Sequence, residues 1–147
     1  MTSEELKKIT FFSTMSDGER EKLIPLLHEH RVPAGQAIVT EGEPGRRFYL
    51  LIDGQALVIE ELDSHRAKLL AELKSGDVFG ELSILDEGTR SASVVARSDC
   101  SLQFIAADEF KTLLLGHPEI TLKVAKILAS RLRNADKEIK ELTLFNI

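Results

Sequence analysis

The chain has a single cysteine, Cys100, in 147 residues, which excludes an internal disulfide and any cysteine-cluster metal site. Cys100 opens the apolar run that ends at Ile105 and reads as a small core residue. No segment approaches the ~20 consecutive apolar residues of a membrane span, and the first dozen residues carry Glu4 and Glu5 and no apolar run of signal-peptide length. The expectation is a cytoplasmic protein without membrane contact. Positive charge is in deficit, with 19 Lys and Arg against 24 Asp and Glu and a net charge of −5. The domain as a whole therefore repels a nucleic-acid backbone or an anionic membrane, and any anion site has to be local. There is no Gly-x-Ser-x-Gly, no phosphate loop ending in Gly-Lys-Ser/Thr, and no nucleophile with a base placed by motif. An enzyme is not expected. Internal repeats and low-complexity tracts are also missing.

What is present suffices for one compact domain spanning residues 1–147, since 43% of the residues are hydrophobic. Ser16-Asp-Gly-Glu19 is a capping box leading into Leu23, Ile24 and Leu27 at helical spacing, so helices are expected over about residues 1–30. From about 31 to 106 the texture changes to short apolar runs punctuated by Gly35, Gly42, Gly45, Gly54, Gly76, Gly80 and Gly88. The runs 37–40, 48–52, 56–59, 68–73, 93–96 and 102–105 have strand length and lack the helical segments a parallel sheet needs between strands. A mainly β, jelly-roll-like fold with flanking helices follows. Helical period returns over about 107–147: a short helix from Asp108 is stopped by Gly116, and a long one restarts at Pro118 and runs to about Thr143. Leu128, Leu132, Ala135, Ile139 and Leu142 line one seam of that last helix, suited either to a second copy or to packing on its own barrel.

Residues 76–92 carry the chemistry. Gly76 and Gly80 bracket Val78-Phe79 and let the backbone approach a ligand. Gly80-Glu81-Leu82-Ser83 can open one helical turn with free N–H groups, and Arg90 offers a planar fork of donors beside the Ser91 hydroxyl and the Ser91 and Ala92 amides. A site for phosphate alone would avoid the Glu81 carboxylate, so the ligand should combine an anion with a hydroxyl donor, as a nucleotide with a free ribose hydroxyl does.

Phe-Gly-Glu-Leu-Ser-x-Leu followed by Arg-Ser-Ala resembles the phosphate-binding cassette of the cyclic nucleotide-binding domain family. Pro33-Ala-Gly35-Gln, Glu41-Gly-Glu-Pro-Gly45, Phe48-Tyr-Leu-Leu-Ile-Asp-Gly54 and His117-Pro118 are similar to that family's successive signposts in order, over nearly the whole chain. The resemblance implies an eight-stranded β-roll with N-terminal helices and a long C-terminal helix. It also implies a regulatory domain whose ligand is cAMP or, second, cGMP, with no cofactor. By the resemblance Glu81 accepts from the ribose 2′-hydroxyl, Arg90 pairs with the cyclic phosphate, and Ser91 donates to that phosphate. The amides of Gly80, Leu82 and Ala92 complete a cradle that includes Ser83. Val58, Leu70 and Leu73 would form the wall beneath the base, with Arg131, Asn134 and Asp136 on the last helix at its edge. Asp136 as a solvated helix residue is an equal reading.

Implied partners are the nucleotide, a second copy through the last helix, and an effector protein or domain. Family members that regulate transcription carry a helix-turn-helix after this helix, whereas only Leu144-Phe-Asn-Ile147 remains here, so DNA binding within this chain is not expected. The basic residues Lys123, Lys126, Arg131, Arg133, Lys137 and Lys140 are interrupted by acids and read as a solvated face. Two other readings stand beside the sensor: a ligand-free interaction module of the same fold, and a cupin-like metal enzyme using His28 and His30. The two histidines fall at the end of an expected helix, without a glutamate at ligand spacing.

Overall fold

The computed structural model describes residues 1–145, with side chains as far as Glu141. It opens with α1 (Ser3–Lys7), a 3-10 turn (Thr10–Phe12) and α2 (Asp17–Leu23). The capping box is realised: the Glu19 amide donates to Ser16 Oγ at 3.2 Å and the Ser16 amide donates to Glu19 Oε1 at 2.8 Å. Helix does not continue to residue 30. Pro25 tightens the chain into a 3-10 turn over Ile24–Leu26, and the next residue is already extended. His28 and His30 consequently lie on a strand, β1 (His28–Val32), and not at a helix end.

Eight strands follow in two antiparallel sheets. One has the order β1-β8-β3-β6, with β3 Arg47–Asp53, β6 Val78–Phe79 and β8 Cys100–Ala106. The other has the order β2-β7-β4-β5, with β2 Ala37–Val39, β4 Ala56–Glu60, β5 Lys68–Leu73 and β7 Ser93–Ala96. Strand β3 is buried on both faces, as a central strand should be. Phe48 and Leu50 point to a core shared with the helices, while Tyr49 and Leu51 point into the roll. The first core joins Phe11 and Phe12 to Phe48, Phe110, Ile120 and Val124. The second stacks Tyr49 on Phe79 at 5.0 Å and holds Val94, Leu102 and Cys100. Burial raises the Cys100 thiol pKa, and its S–H is directed at backbone carbonyls of Gln55 and Ser98.

A short helix, α3 (Glu81–Leu85), interrupts the strands and is pinned to the first core by Ile84. After β8, α4 (Ala107–Gly116) hands over to α5 (Pro118–Phe145). The expected seam of α5 divides. Leu128 joins Ile127 against the helical core, whereas Leu132 and Ile139 are exposed, and the Leu142 side chain lies outside the described residues. No helix among the described residues is long and apolar enough to cross a membrane.

Candidate ligand-binding site

Gly80 is the N-cap of α3 with φ +90°, ψ 0°, and no side chain caps the helix. A Cβ at Gly80 would lie 2.4 Å from Arg90 Nη1 and 2.8 Å from the Arg47 carbonyl oxygen. Both the left-handed backbone and the space therefore require glycine. The space is filled by the Arg90 guanidinium, which is anchored to the backbone: Nη1 donates to Gly80 O at 3.2 Å and Nη2 to Arg47 O at 2.7 Å. Arg90 is only 6% exposed. Desolvation lowers its pKa, against the opposing pull of Tyr49, Glu81 and Glu43. A cation held in that environment favours an anion brought to its remaining N–H groups.

The loop between β2 and β3 backs the cassette. The Arg90 amide donates to Glu43 O at 2.7 Å and the Gly42 amide to Arg90 O at 2.9 Å. Pro44 bridges to Thr89. A Cβ on Gly45 would overlap Ser83 Cβ at 2.2 Å, so Gly45 admits the close approach of that loop to α3. Ser83 Oγ donates to Thr89 O at 3.4 Å, which ties the start of α3 to the segment entering Arg90.

Glu81 is 6% exposed. Its Oε1 accepts from Arg131 Nη1 of α5 at 2.5 Å, with 46% of the Arg131 side chain exposed. The Arg131 guanidinium also sits 5.5 Å from the centre of the Phe11 ring. The last helix is thus bonded directly to the carboxylate that the sequence singles out, with an N-terminal aromatic behind it.

The cavity in front of these groups, about 170 Å³, is lined by Gly80, Glu81, Leu82, Ser83, Arg90, Ser91 and Ala92 together with Val39, Val58, Phe79 and Val94. All seven cassette residues expected from the sequence come together here. Of the expected wall only Val58 lines the cavity. Leu70 is the extra residue of a β-bulge, since Val58 pairs with Ala71 and Ile59 with Leu69, and it is nearly half exposed. Leu73 packs against the second core, opposite Ala56. Of the three α5 residues expected from the sequence, Arg131 is the one bonded to the cassette, through Glu81. Asn134 lines a separate groove beside Thr10, and Asp136 is exposed.

Val39, Phe79 and Val94 escape the sequence reading. The two valines stand in strand runs where nothing marks the inward face, and Phe79 reads as part of a turn. The histidines of β1 pack on aromatics: His28 lies 5.1 Å from the Phe104 ring and His30 6.2 Å from Tyr49. No cluster of three or more metal-ligating side chains occurs among the described residues.

A buried arginine held to two backbone carbonyls and a buried glutamate beside a left-handed glycine thus meet at one cavity on the β-roll. The family model described as "Cyclic nucleotide-binding domain" matches residues 29–117, and the chain belongs to that family. It is similar to the cAMP-dependent protein kinase regulatory subunit of Aspergillus niger, 38% identical over 112 residues, covering 74% of this chain and 26% of that protein. It is also similar to the cAMP-activated global transcriptional regulator CRP of Haemophilus influenzae, 29% identical over 99% of this chain and 68% of that protein. The chain thus spans about a quarter of the first relative and about two thirds of the second. Among solved structures, the Thermus thermophilus catabolite activator protein superposes with a TM-score of 0.77 at 32% identity, over 90% of this chain and 62% of that one. The regulatory domain of Toxoplasma gondii protein kinase A with cAMP gives 0.77 at 26%, over 91% and 49%.

Proposed function

We propose that this domain is a non-catalytic sensor that binds cAMP, and cGMP less well, and that α5 carries the output. The observation that carries the reading is the Arg90 guanidinium, buried, anchored on two carbonyls and facing a cavity shared with the Glu81 carboxylate. The cyclic phosphate lies against Arg90, Ser91 and the amides of Gly80, Leu82 and Ala92, and the ribose 2′-hydroxyl donates to Glu81. At about 170 Å³ the cradle is smaller than the roughly 300–1,000 Å³ typical of small-molecule sites. It takes the ribose and phosphate and leaves the base outside. The base then rests above Val58, with Leu70 and Leu73 beyond it and Asn134 and Asp136 available as α5 shifts.

Arg131 gives α5 its reason to respond. A ligand moves a helix only by the difference in its affinity for the two helix positions, and Arg131 makes the state of Glu81 matter to α5 through the 2.5 Å ion pair. Output passes along the exposed Leu132 and Ile139 side of α5 to a second copy or to an effector protein or domain. In a displacement assay with a fluorescent cyclic nucleotide, cAMP should compete at lower concentration than cGMP. Failure of both to compete at millimolar concentration would refute the sensor reading, and the reverse order would refute the base preference.

A further inference from the structure

We infer that the groove between the Thr10–Phe12 turn and α5 is a docking site for an acidic peptide segment of a partner protein. The groove, about 590 Å³, has Phe11 and Ile127 among its apolar lining. It shares no lining residue with the cavity in front of the cassette, and Arg131 on its wall is the link between the two through Glu81.

Three observations select the occupant. The chain carries a net charge of −5, yet no carboxylate lines this groove while Lys123, Lys126 and Arg131 all do. Lys123 is committed to buried Glu19 and Arg131 to buried Glu81. Lys126 is exposed and enters no ion pair among the described residues, so its charge is the one left to be met from outside. The α5 wall runs from Lys123 to Asn134, about 16 Å at 1.5 Å per residue. A trough of that length matches about five residues of extended chain at ~3.3 Å each. The hydroxyls of Thr10 and Ser130 and the amide of Asn134 line the same trough and can meet the polar groups of such a segment. Carboxylates on the segment would lie against Lys126, and its apolar residues over the half-buried Ile127.

The test needs no nucleotide, so it stands or falls separately from the sensor reading. The full chain is used to select from a displayed library of random peptides. The enriched peptide is synthesised with a fluorophore, beside a counterpart in which every Asp and Glu becomes Asn or Gln. The selected sequences should be rich in Asp and Glu. Binding by anisotropy should fall about tenfold or more, ~1.4 kcal/mol, both for the amide counterpart and for Lys126→Glu, and weaken as salt rises. Lys137→Glu, exposed on α5 but outside the groove, should change it less than about twofold. Thermal melts confirm that both variants fold. Selection without acidic enrichment, or equal losses in the two lysine variants, would overturn the proposal. So would a wild-type dimer that Lys126→Glu dissociates, since the groove's occupant would then be a second copy.

Discussion

Replacing Gly80 with alanine should damage ligand binding beyond its cost to stability, and the structure allows the two effects to be separated. Gly80 has φ +90°, a conformation that costs a residue with a Cβ about 1–2 kcal/mol. The new Cβ would also stand 2.4 Å from Arg90 Nη1 and 2.8 Å from the Arg47 carbonyl oxygen. The carbonyl is main chain within β3 and yields little, so the guanidinium gives way. Its 3.2 Å bond to Gly80 O is then lost, at about 1 kcal/mol. Together these amount to roughly 2–3 kcal/mol of folding stability. An Arg90 displaced from the phosphate position costs at least another ~1.4–2.8 kcal/mol in the complex, a 10- to 100-fold weaker Kd. Gly35 is the control, because its φ is +86° and a Cβ there meets nothing within 4 Å. Gly35→Ala should lose about 1–2 kcal/mol of stability and keep its affinity for cAMP. Urea denaturation gives the stabilities, and cAMP titration at a temperature where both variants are folded gives the affinities. A folded Gly80→Ala protein with wild-type affinity, or a Gly35→Ala protein losing as much affinity as Gly80→Ala, would refute the steric argument.

Arg131→Met keeps an unbranched stem like the aliphatic part of the arginine and removes the ion pair to Glu81. It should weaken cAMP binding about three- to tenfold, because the partner is half exposed, and hasten amide exchange in the middle of α5; unchanged exchange would detach α5 from the cassette. Acid stability should report the N-terminal contact of α5. The Lys123 ammonium bonded to Glu19, with help from the Ser16 amide, lowers the carboxyl pKa from 4.5 to about 2. A depressed folded-state pKa stabilises fully above the unfolded value, and that stability is lost as pH falls from about 4.5 towards 2. Melting temperature should therefore drop over that window, and less steeply in Glu19→Gln. Asp17, whose pKa is lowered by its bond to Arg20, keeps some of the slope; equal slopes in wild type and Glu19→Gln would remove Glu19 from the account. Gly45→Ala should separate the β2–β3 loop from α3, since its Cβ would overlap Ser83 Cβ, and lower stability by about 1–3 kcal/mol as overpacking does.

The cassette was legible because its chemistry is local. Gly80, Glu81, Arg90, Ser91 and Ala92 lie within one stretch of thirteen residues, and the glycine and charge pattern carries their geometry. The six strand runs reappear at nearly their expected ends because each is a short, mostly apolar stretch closed off by glycine or charged turn residues. β1 was not legible for the opposite reason. As an edge strand with His28, Glu29, His30 and Arg31 mostly exposed, it shows no hydrophobic alternation, and nothing in the sequence separates it from the helix before it. Contacts from α5 depend on where a long helix lies across the roll. Sequence spacing brings Arg131, Asn134 and Asp136 within about a turn and a half; Arg131 and Asn134 both line the groove beside Thr10, and of the three it is Arg131 that is bonded to Glu81. Leu70 illustrates the same limit on a strand, since the bulge between Val58 and Ile59 shifts its register in a way the run 68–73 does not show.

Calorimetric titration of cAMP into the wild-type chain and into Arg90→Ala, side by side, tests the central claim most directly. The account predicts saturable one-site binding by wild type. Affinity should fall about 30-fold or more in Arg90→Ala, the ~2 kcal/mol or greater loss expected for stripping a buried charge from its partner. No binding by wild type at millimolar cAMP, or equal affinities in the two proteins, would contradict it.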